Sequence, residues 1–543
     1  MPSLSADLIL KNGRIATLDD NETIAEAVAC WNGRIVTVGS NSDADALAGP
    51  GTRTIDVGGK TVIPGIIDSH CHPDAHAIND YLWEDVGPEA TDSIEALLNL
   101  IDAKTAAMGP GEMFRGQGWN DQKCGGYPTR DELDKAGNGR PVWIGRTDHH
   151  IAVVNSATFE HFGVAEDVEN PPHGQYDRDP ETGKLTGLMR EMAAWDLEGL
   201  MKQAYSVDDY IAGLKQVFPM YHRHGVTSLH NSLTQQKAVH AYQRMRDAGD
   251  LTMRMGIIID GRDDDMVDGY IGAGIKTGFG DEWIRVVGIE WCPDCSVSGR
   301  TAAFYEPYIG EPVPGEPVPN TGMLLYTAED LIPRVKRAHK AGLRVCVEGL
   351  GDRGIDFALD AIEAALEETP RDDHRSRVEH CCNVTPAILD RLTKLEVTDS
   401  SATGFMYSLG DAYIANRGGQ AMEDMFPHRA LIDAGVPAPG HSDANVCSTN
   451  PWLVFYSLVN RKTDTGQPFG QTQKISVTEA LRTYTTLGAW TGFEEDLKGD
   501  IAPGKLADFA ILNDDPWSMD TEQLRDMAVA ETIVGGKTVF EGS

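Results

Sequence analysis

The amino-acid sequence predicts an α/β protein: a parallel TIM (β/α)8 barrel with a small β-sandwich domain formed by both chain termini. Three observations carry this. Apolar strand-like runs alternate with amphipathic helical patterns through the middle of the chain. Short strands with Asn-Gly and Gly-Gly turn signals recur at both ends. The length of 543 residues suits one large barrel with an appendage.

Taken in order, Asp7-Leu-Ile-Leu-Lys-Asn-Gly13 and Trp31-Asn-Gly-Arg-Ile-Val-Thr-Val-Gly39 are hairpin-like. The same style returns at 507–512 and 531–540, so residues 1–60 and 496–543 are expected to form one composite sandwich. Residues 61–495 hold the barrel, with strands expected at 62–67, 141–145, 225–229, 253–260, 283–290, 343–348, 375–380, 396–401 and 436–441. Between them, 93–108, 207–224, 328–341, 355–368, 386–394 and 480–490 carry apolar residues near 3.6 spacing and are expected to be helical. Residues 110–200 break the alternation with Gly-, Pro- and Asp-rich segments and read as an insertion over the barrel mouth. The four prolines of 308–321 mark a second candidate lid.

Lys and Arg number 47 against 83 Asp and Glu, a net charge of −36. That balance argues against nucleic acid and against an anionic membrane surface as partners. No apolar run of about 18 residues is present, and residues 1–20 lack the basic and apolar regions of a secretory signal. A cytoplasmic protein acting on a small molecule is the expectation. Nine cysteines, an odd number in a long chain, do not read as a disulfide framework.

The strongest local signal is Val62-Ile-Pro-Gly-Ile-Ile-Asp-Ser-His-Cys-His72. An apolar strand ends in His70-x-His72, and residues two apart in extended chain face the same way. Two imidazoles are thereby offered to one metal ion. Four other expected strand ends carry candidate ligands: Glu290, Glu348, His380 and the His441-Ser-Asp443 run. In α/β barrels the carboxyl ends of the strands build the site.

These segments resemble the amidohydrolase superfamily, and within it the YtcJ-like branch (amidohydrolase family 3) related to N-substituted formamide deformylase. The resemblance runs nearly end to end. It rests on Pro64-Gly-Ile-Ile-Asp-Ser-His-Cys-His72, Gly118-Trp-Asn120, Pro128-Thr-Arg-Asp-Glu-Leu-Asp134, Asp148-His-His-Ile-Ala-Val-Val-Asn-Ser156 and Thr182-Gly-Lys-Leu-Thr-Gly-Leu-Met-Arg-Glu191. It continues through His224-Gly-Val-Thr-Ser-Leu-His230, Arg377-Val-Glu-His380, Ser442-Asp443, Glu479-Ala-Leu-Arg-Thr-Tyr-Thr485 and Gly499-Asp-Ile-Ala-Pro-Gly-Lys-Leu-Ala-Asp508. The resemblance implies a metal-bearing barrel beside a sandwich built from both termini. It implies that His70, His72 and Asp443 hold one metal ion and His380 a second, and, as a family-level expectation, a homodimer.

Two positions depart from the family pattern. Glu290 stands where a lysine is usual, and Glu348 where a histidine is usual. The lysine of the family can be carboxylated to bridge two metals, so glutamate is a mild change there, with a shorter reach. Glu348 exchanges a neutral imidazole for an anion and bears on whether a second metal is held. Glu290, Glu348 and Asp443 together favour two divalent ions, or one ion with a carboxyl proton retained. The expected cofactor is therefore one or two divalent ions per chain, zinc or manganese, the extra carboxylates leaning towards manganese. Glu290 and Glu348 are candidate ligands or acid/base groups. Asp443 and His380 are the catalytic candidates, Asp443 as proton carrier between water and leaving nitrogen. His150, Arg146 and Trp119 are candidate substrate contacts, with Tyr127 beside them.

Cys71, Cys292, Cys346, Cys381 and Cys447 fall close in sequence to these residues. Small, reduced packing residues are the plainer reading; Cys292 as metal ligand or oxidation-sensitive group is the sharper one. The expected activity is hydrolysis of a carbon–nitrogen bond (amide, N-formyl, carbamate, urea or cyclic amide) in a small organic molecule. A deaminase of an aminated ring, or a lyase or binding protein on the same scaffold, are the alternatives.

Overall fold

The computed structural model describes residues 5–312 and 316–542. Its centre is a seven-stranded parallel sheet in the order Ile66–Cys71, Val226–Thr234, Arg254–Asp260, Ile284–Trp291, Val345–Gly349, Arg377–His380, Thr398–Ser401. Nearly every residue of these strands is buried, as expected for a sheet covered by helices. Helices such as Val207–His222, Gln236–Ala248, Ala328–Ala341 and Asp352–Glu368 follow the strands and bury their apolar stripes against them.

The gap between the two outer strands is closed by residues 437–444. On one side Asp399 and Ser401 donate to the carbonyls of Pro437 and Pro439 at 3.0 Å each, and His441 donates to Ser401 at 3.1 Å. On the other, Asp443 donates to the His70 carbonyl at 3.1 Å and His72 to Ala444 at 2.6 Å. Pro437 and Pro439 lack N–H groups, so this segment completes the barrel without a regular ladder. The strand expected at 436–441 is thus present as a closing segment rather than a regular strand.

Two expected strands are placed differently. The run 62–67 divides at Gly65. Thr61–Pro64 joins a sheet with Phe509–Leu512, Val529–Val534 and Lys537–Glu541 from the far end of the chain and Arg14–Ala16 from the near end, while Ile66–Cys71 enters the barrel. That sheet packs on a second one, made of Leu8–Lys11, Ala27–Trp31, Arg34–Gly39 and Arg53–Asp56, around Leu10, Val28, Val62, Phe509 and Ile533. The buried Arg254 guanidinium of the barrel forks onto Asp508 at 2.6 and 2.9 Å, tying these sheets to it. A Cβ on Gly65 would lie 2.2 Å from Thr227 Oγ1 and 2.6 Å from its methyl. Gly65→Ala is expected to cost about 1–3 kcal/mol in a denaturant melt, as overpacking does. An unchanged midpoint would show that the junction is slack.

The other difference is Val142–Arg146, expected in the barrel. It lies instead in a six-stranded mixed sheet running from Glu84–Asp85 at one edge to Gly174–Arg178 at the other, with its own apolar clusters around Trp143 and Ile144. The insertion therefore begins near 84 and is an α/β module. Of the candidate lid 308–321, residues 313–315 lie outside the described residues. Among the described residues no helix is long and apolar enough to cross a membrane.

Candidate metal centre

His70 sits near the end of Ile66–Cys71, and His72 caps the following helix, Pro73–Leu82. Their rings are fixed through Nδ1: His70 to Glu379 Oε2 at 2.9 Å, His72 to the Ser232 carbonyl at 3.2 Å. That leaves both Nε2 atoms turned to one point, 3.3 and 3.0 Å from Asp443 Oδ1. An imidazole that donates from one nitrogen presents its other as a ligand, the arrangement found around bound metals. The donor atoms of His70, His72 and Asp443 all lie within 4.8 Å of one another.

Asp443 (φ 55°), His380 (φ 66°) and Cys381 (φ 43°) all adopt left-handed conformations that non-glycine residues avoid. Asp68 holds the last of the barrel closure by accepting from Ser442 N at 3.0 Å and from its hydroxyl.

Two observations show that a cation fits. His70 Nε2 and Asp443 Oδ1 are buried and make no well-formed hydrogen bond. Burial opposes a charge on His70, yet Glu290, Asp443 and Glu379 overcome it and hold its pKa well above the usual value. The pocket calls for positive charge at this point.

Glu379, beneath His70, is fully buried and pairs with Arg377 at 2.5 Å. Burial pushes its pKa up, but Arg377 and His70 outweigh that and keep it well below the usual carboxylate range. His380 is driven down to about 3 by burial, so its ring is neutral, the form that ligates. Its Nε2 is 3.8 Å from Glu348 Oε1. Glu290 Oε2 lies 4.0 Å from His70 Nδ1 and accepts from the Ser232 hydroxyl. Burial raises Glu290 well above its usual value and Glu348 to about 8.

The structure brings His70, His72, Glu290, Glu348, His380 and Asp443 to the wall of one cavity of about 310 Å³. His150 lines it as well. Its Nδ1 is 2.6 Å from Glu191 Oε2, and Glu191 overcomes burial to raise the imidazole to about 10. Arg146 and Trp119 are not among the described residues that line the cavity. The Arg146 guanidinium donates from Nε to Asp121 at 2.7 Å and from Nη1 to Asp148 at 2.5 Å. Trp119 is buried in the inserted module and donates to the Gly126 carbonyl at 3.0 Å. Among the residues that sequence reasoning missed are Glu379, Glu191, Trp195 and Arg262, the last two lining the cavity. Glu379 and Glu191 both stand inside recognised segments, but only the fold reveals which histidine each holds. All nine cysteines are free and buried.

Comparison with known proteins agrees with this geometry. The profile of the Amidohydrolase family matches residues 53–540. N-substituted formamide deformylase of Arthrobacter pascens is 26% identical, over 98% of this chain and 98% of its own. Protein LONG AFTER FAR-RED 3 of Arabidopsis thaliana is 28% identical, over 98% of this chain and 92% of its own. Among solved structures, an uncharacterized metal-dependent hydrolase from Pyrococcus horikoshii superposes with a TM-score of 0.76 at 24% identity, covering 95% of this chain and 99% of that one. One from Pyrococcus furiosus gives 0.73 at 25% identity, covering 94% and 100%.

Proposed function

This chain belongs to the amidohydrolase family, and from that premise we propose that it is a metal-dependent hydrolase of a carbon–nitrogen bond in a small organic molecule, of the amide, N-formyl, carbamate, urea or cyclic amide class. The observation that carries the reading is the convergence of His70 Nε2 and His72 Nε2 on Asp443 Oδ1, at 3.3 and 3.0 Å, at the wall of one cavity. His70, His72 and Asp443 would hold the ion, with Glu290, Glu348 and His380 beside it. A divalent ion supplies Lewis acidity there and lowers the pKa of water towards ~7.

The chain's own groups do the rest. Asp443 is placed to take a proton from the attacking water and return it to the leaving nitrogen. His150, held charged by Glu191, donates towards oxygen at the same cavity wall as Glu348. Glu379 and the Ser232 carbonyl keep the two imidazoles oriented.

A panel of N-formyl, N-acyl, carbamate, urea and cyclic amide compounds, assayed for amine and carboxylate release with zinc or manganese supplied, tests the proposal. Turnover that is lost on chelation and restored by metal supports it. Ammonia released only from aminated rings would replace it by the deaminase reading. No turnover of either kind would overturn it.

The role of His150 has its own test. Activity needs its charged form, so the alkaline limb of kcat/KM follows its pKa, about 10 in the native site. Glu191→Gln removes the charge that raises it, and the limb should move to lower pH. A pH profile unchanged in the variant would remove His150 from the reaction.

A further inference from the structure

We propose that Arg262 binds a carboxylate of the substrate, so that this chain selects carbon–nitrogen substrates that carry a free carboxylate beyond the scissile bond. The proposal rests on the metal-dependent hydrolase reading above and narrows its substrate class.

Arg262 follows the third strand of the barrel sheet, Arg254–Asp260, by two residues. Asp260 pairs in register with Glu290 on the next strand. The carboxyl ends of barrel strands face one mouth. Arg262 accordingly shares the cavity wall with His70, Glu290 and Asp443, and it is the one arginine among the described residues that line it.

The guanidinium is fixed along one edge and open along another. Its Nε and Nη2 donate to the two oxygens of Asp260 at 2.9 and 2.8 Å, and the Arg262 backbone N–H donates to the same carboxylate at 3.0 Å. Its central carbon lies over the Trp195 ring, 5.2 Å from the centroid. Trp195 is anchored in turn, its Nε1 donating to the His149 carbonyl at 2.8 Å. A guanidinium has five N–H donors, and a fork through Nε and Nη2 uses two of them. The parallel N–H pair on Nη1 and Nη2 remains, and it matches the two oxygens of a second carboxylate. Among the described residues nothing accepts from Nη1, and the side chain is 29% exposed, which leaves this edge to the cavity.

A donor pair already held by Asp260 and Trp195 loses little freedom when it takes a ligand. Lys202, the other long basic side chain of the wall, is drawn to 2.9 Å from Glu198, one turn back on its own helix. His150 is assigned above to the reacting oxygen. Arg262 is thereby left for the far end of the substrate.

The experiment takes the panel compound that the full chain, supplied with zinc or manganese, turns over best. Three versions of its far end are compared: a carboxylate, a hydroxymethyl group and an aminomethyl group. Wild type should show a kcat/KM for the acid about 10-fold or more above that for the alcohol, mainly through KM. Arg262→Met should lower this acid-to-alcohol ratio about 10–100-fold, the range for charge-assisted hydrogen bonds. Arg262→Lys keeps the charge without the parallel donors and should fall between. Equal wild-type rates on acid and alcohol, or an unchanged ratio in Arg262→Met, overturn this inference alone. So does a preference for the aminomethyl compound, which Asp74 and Asp196 on the same wall would attract. A panel with no turnover overturns the hydrolase reading itself. Removing Arg262 strands the buried Asp260 carboxylate, so Arg262→Met is also made together with Asp260→Asn. If neither variant folds, the wild-type preference decides.

Discussion

Asp443→Asn is expected to lower kcat/KM by about 10²–10⁴-fold, the range for losing a positioned general acid–base group. The substitution keeps the side-chain volume and removes the charge and the proton acceptor. The loss should fall mainly on kcat, because the proposed proton transfer occurs in the transition state. Asp443 also faces both imidazoles, so metal content should be measured in the same samples. A folded, metal-replete variant with near-native kcat would show that another group carries the proton.

Glu379→Gln should act in two ways. It leaves Arg377, which is fully buried, without its carboxylate partner, and breaking one side of a buried pair costs about 3–5 kcal/mol. It also weakens the hold on His70 Nδ1, and loss of such an orienting partner typically lowers metal affinity about 10–100-fold. Urea melts and metal titrations read the two effects separately. Adding Arg377→Met to Glu379→Gln should recover much of the stability without recovering the affinity. If the affinity returns along with the stability, Glu379 supports the fold and does not tune His70.

The cavity-facing half of the site was legible because it obeys a local rule. His70, His72, Glu290, Glu348 and His380 all follow short apolar runs, and barrel strands present their carboxyl ends to one mouth. Asp443 was legible for the same reason even though Pro437 and Pro439 prevent a regular strand. What escaped depends on contacts distant in sequence. Glu379 lies beside His380 in sequence but acts on His70, 309 positions away. Glu191 acts on His150 through a sheet whose pairing no local pattern shows. Val142–Arg146 looked like a barrel strand because a buried apolar run reads alike in either sheet. The junction at Gly65 escaped because the apolar run 62–67 continues across it.

If His70, His72 and Asp443 hold a catalytic divalent ion, elemental analysis of the purified chain reads that ion directly. Wild-type protein should carry at least one divalent ion per chain, and a folded His70→Ala, His72→Ala double variant should lose that ion together with activity. Wild-type protein that hydrolyses substrate with no bound metal, or a double variant that keeps its full metal content, would contradict it.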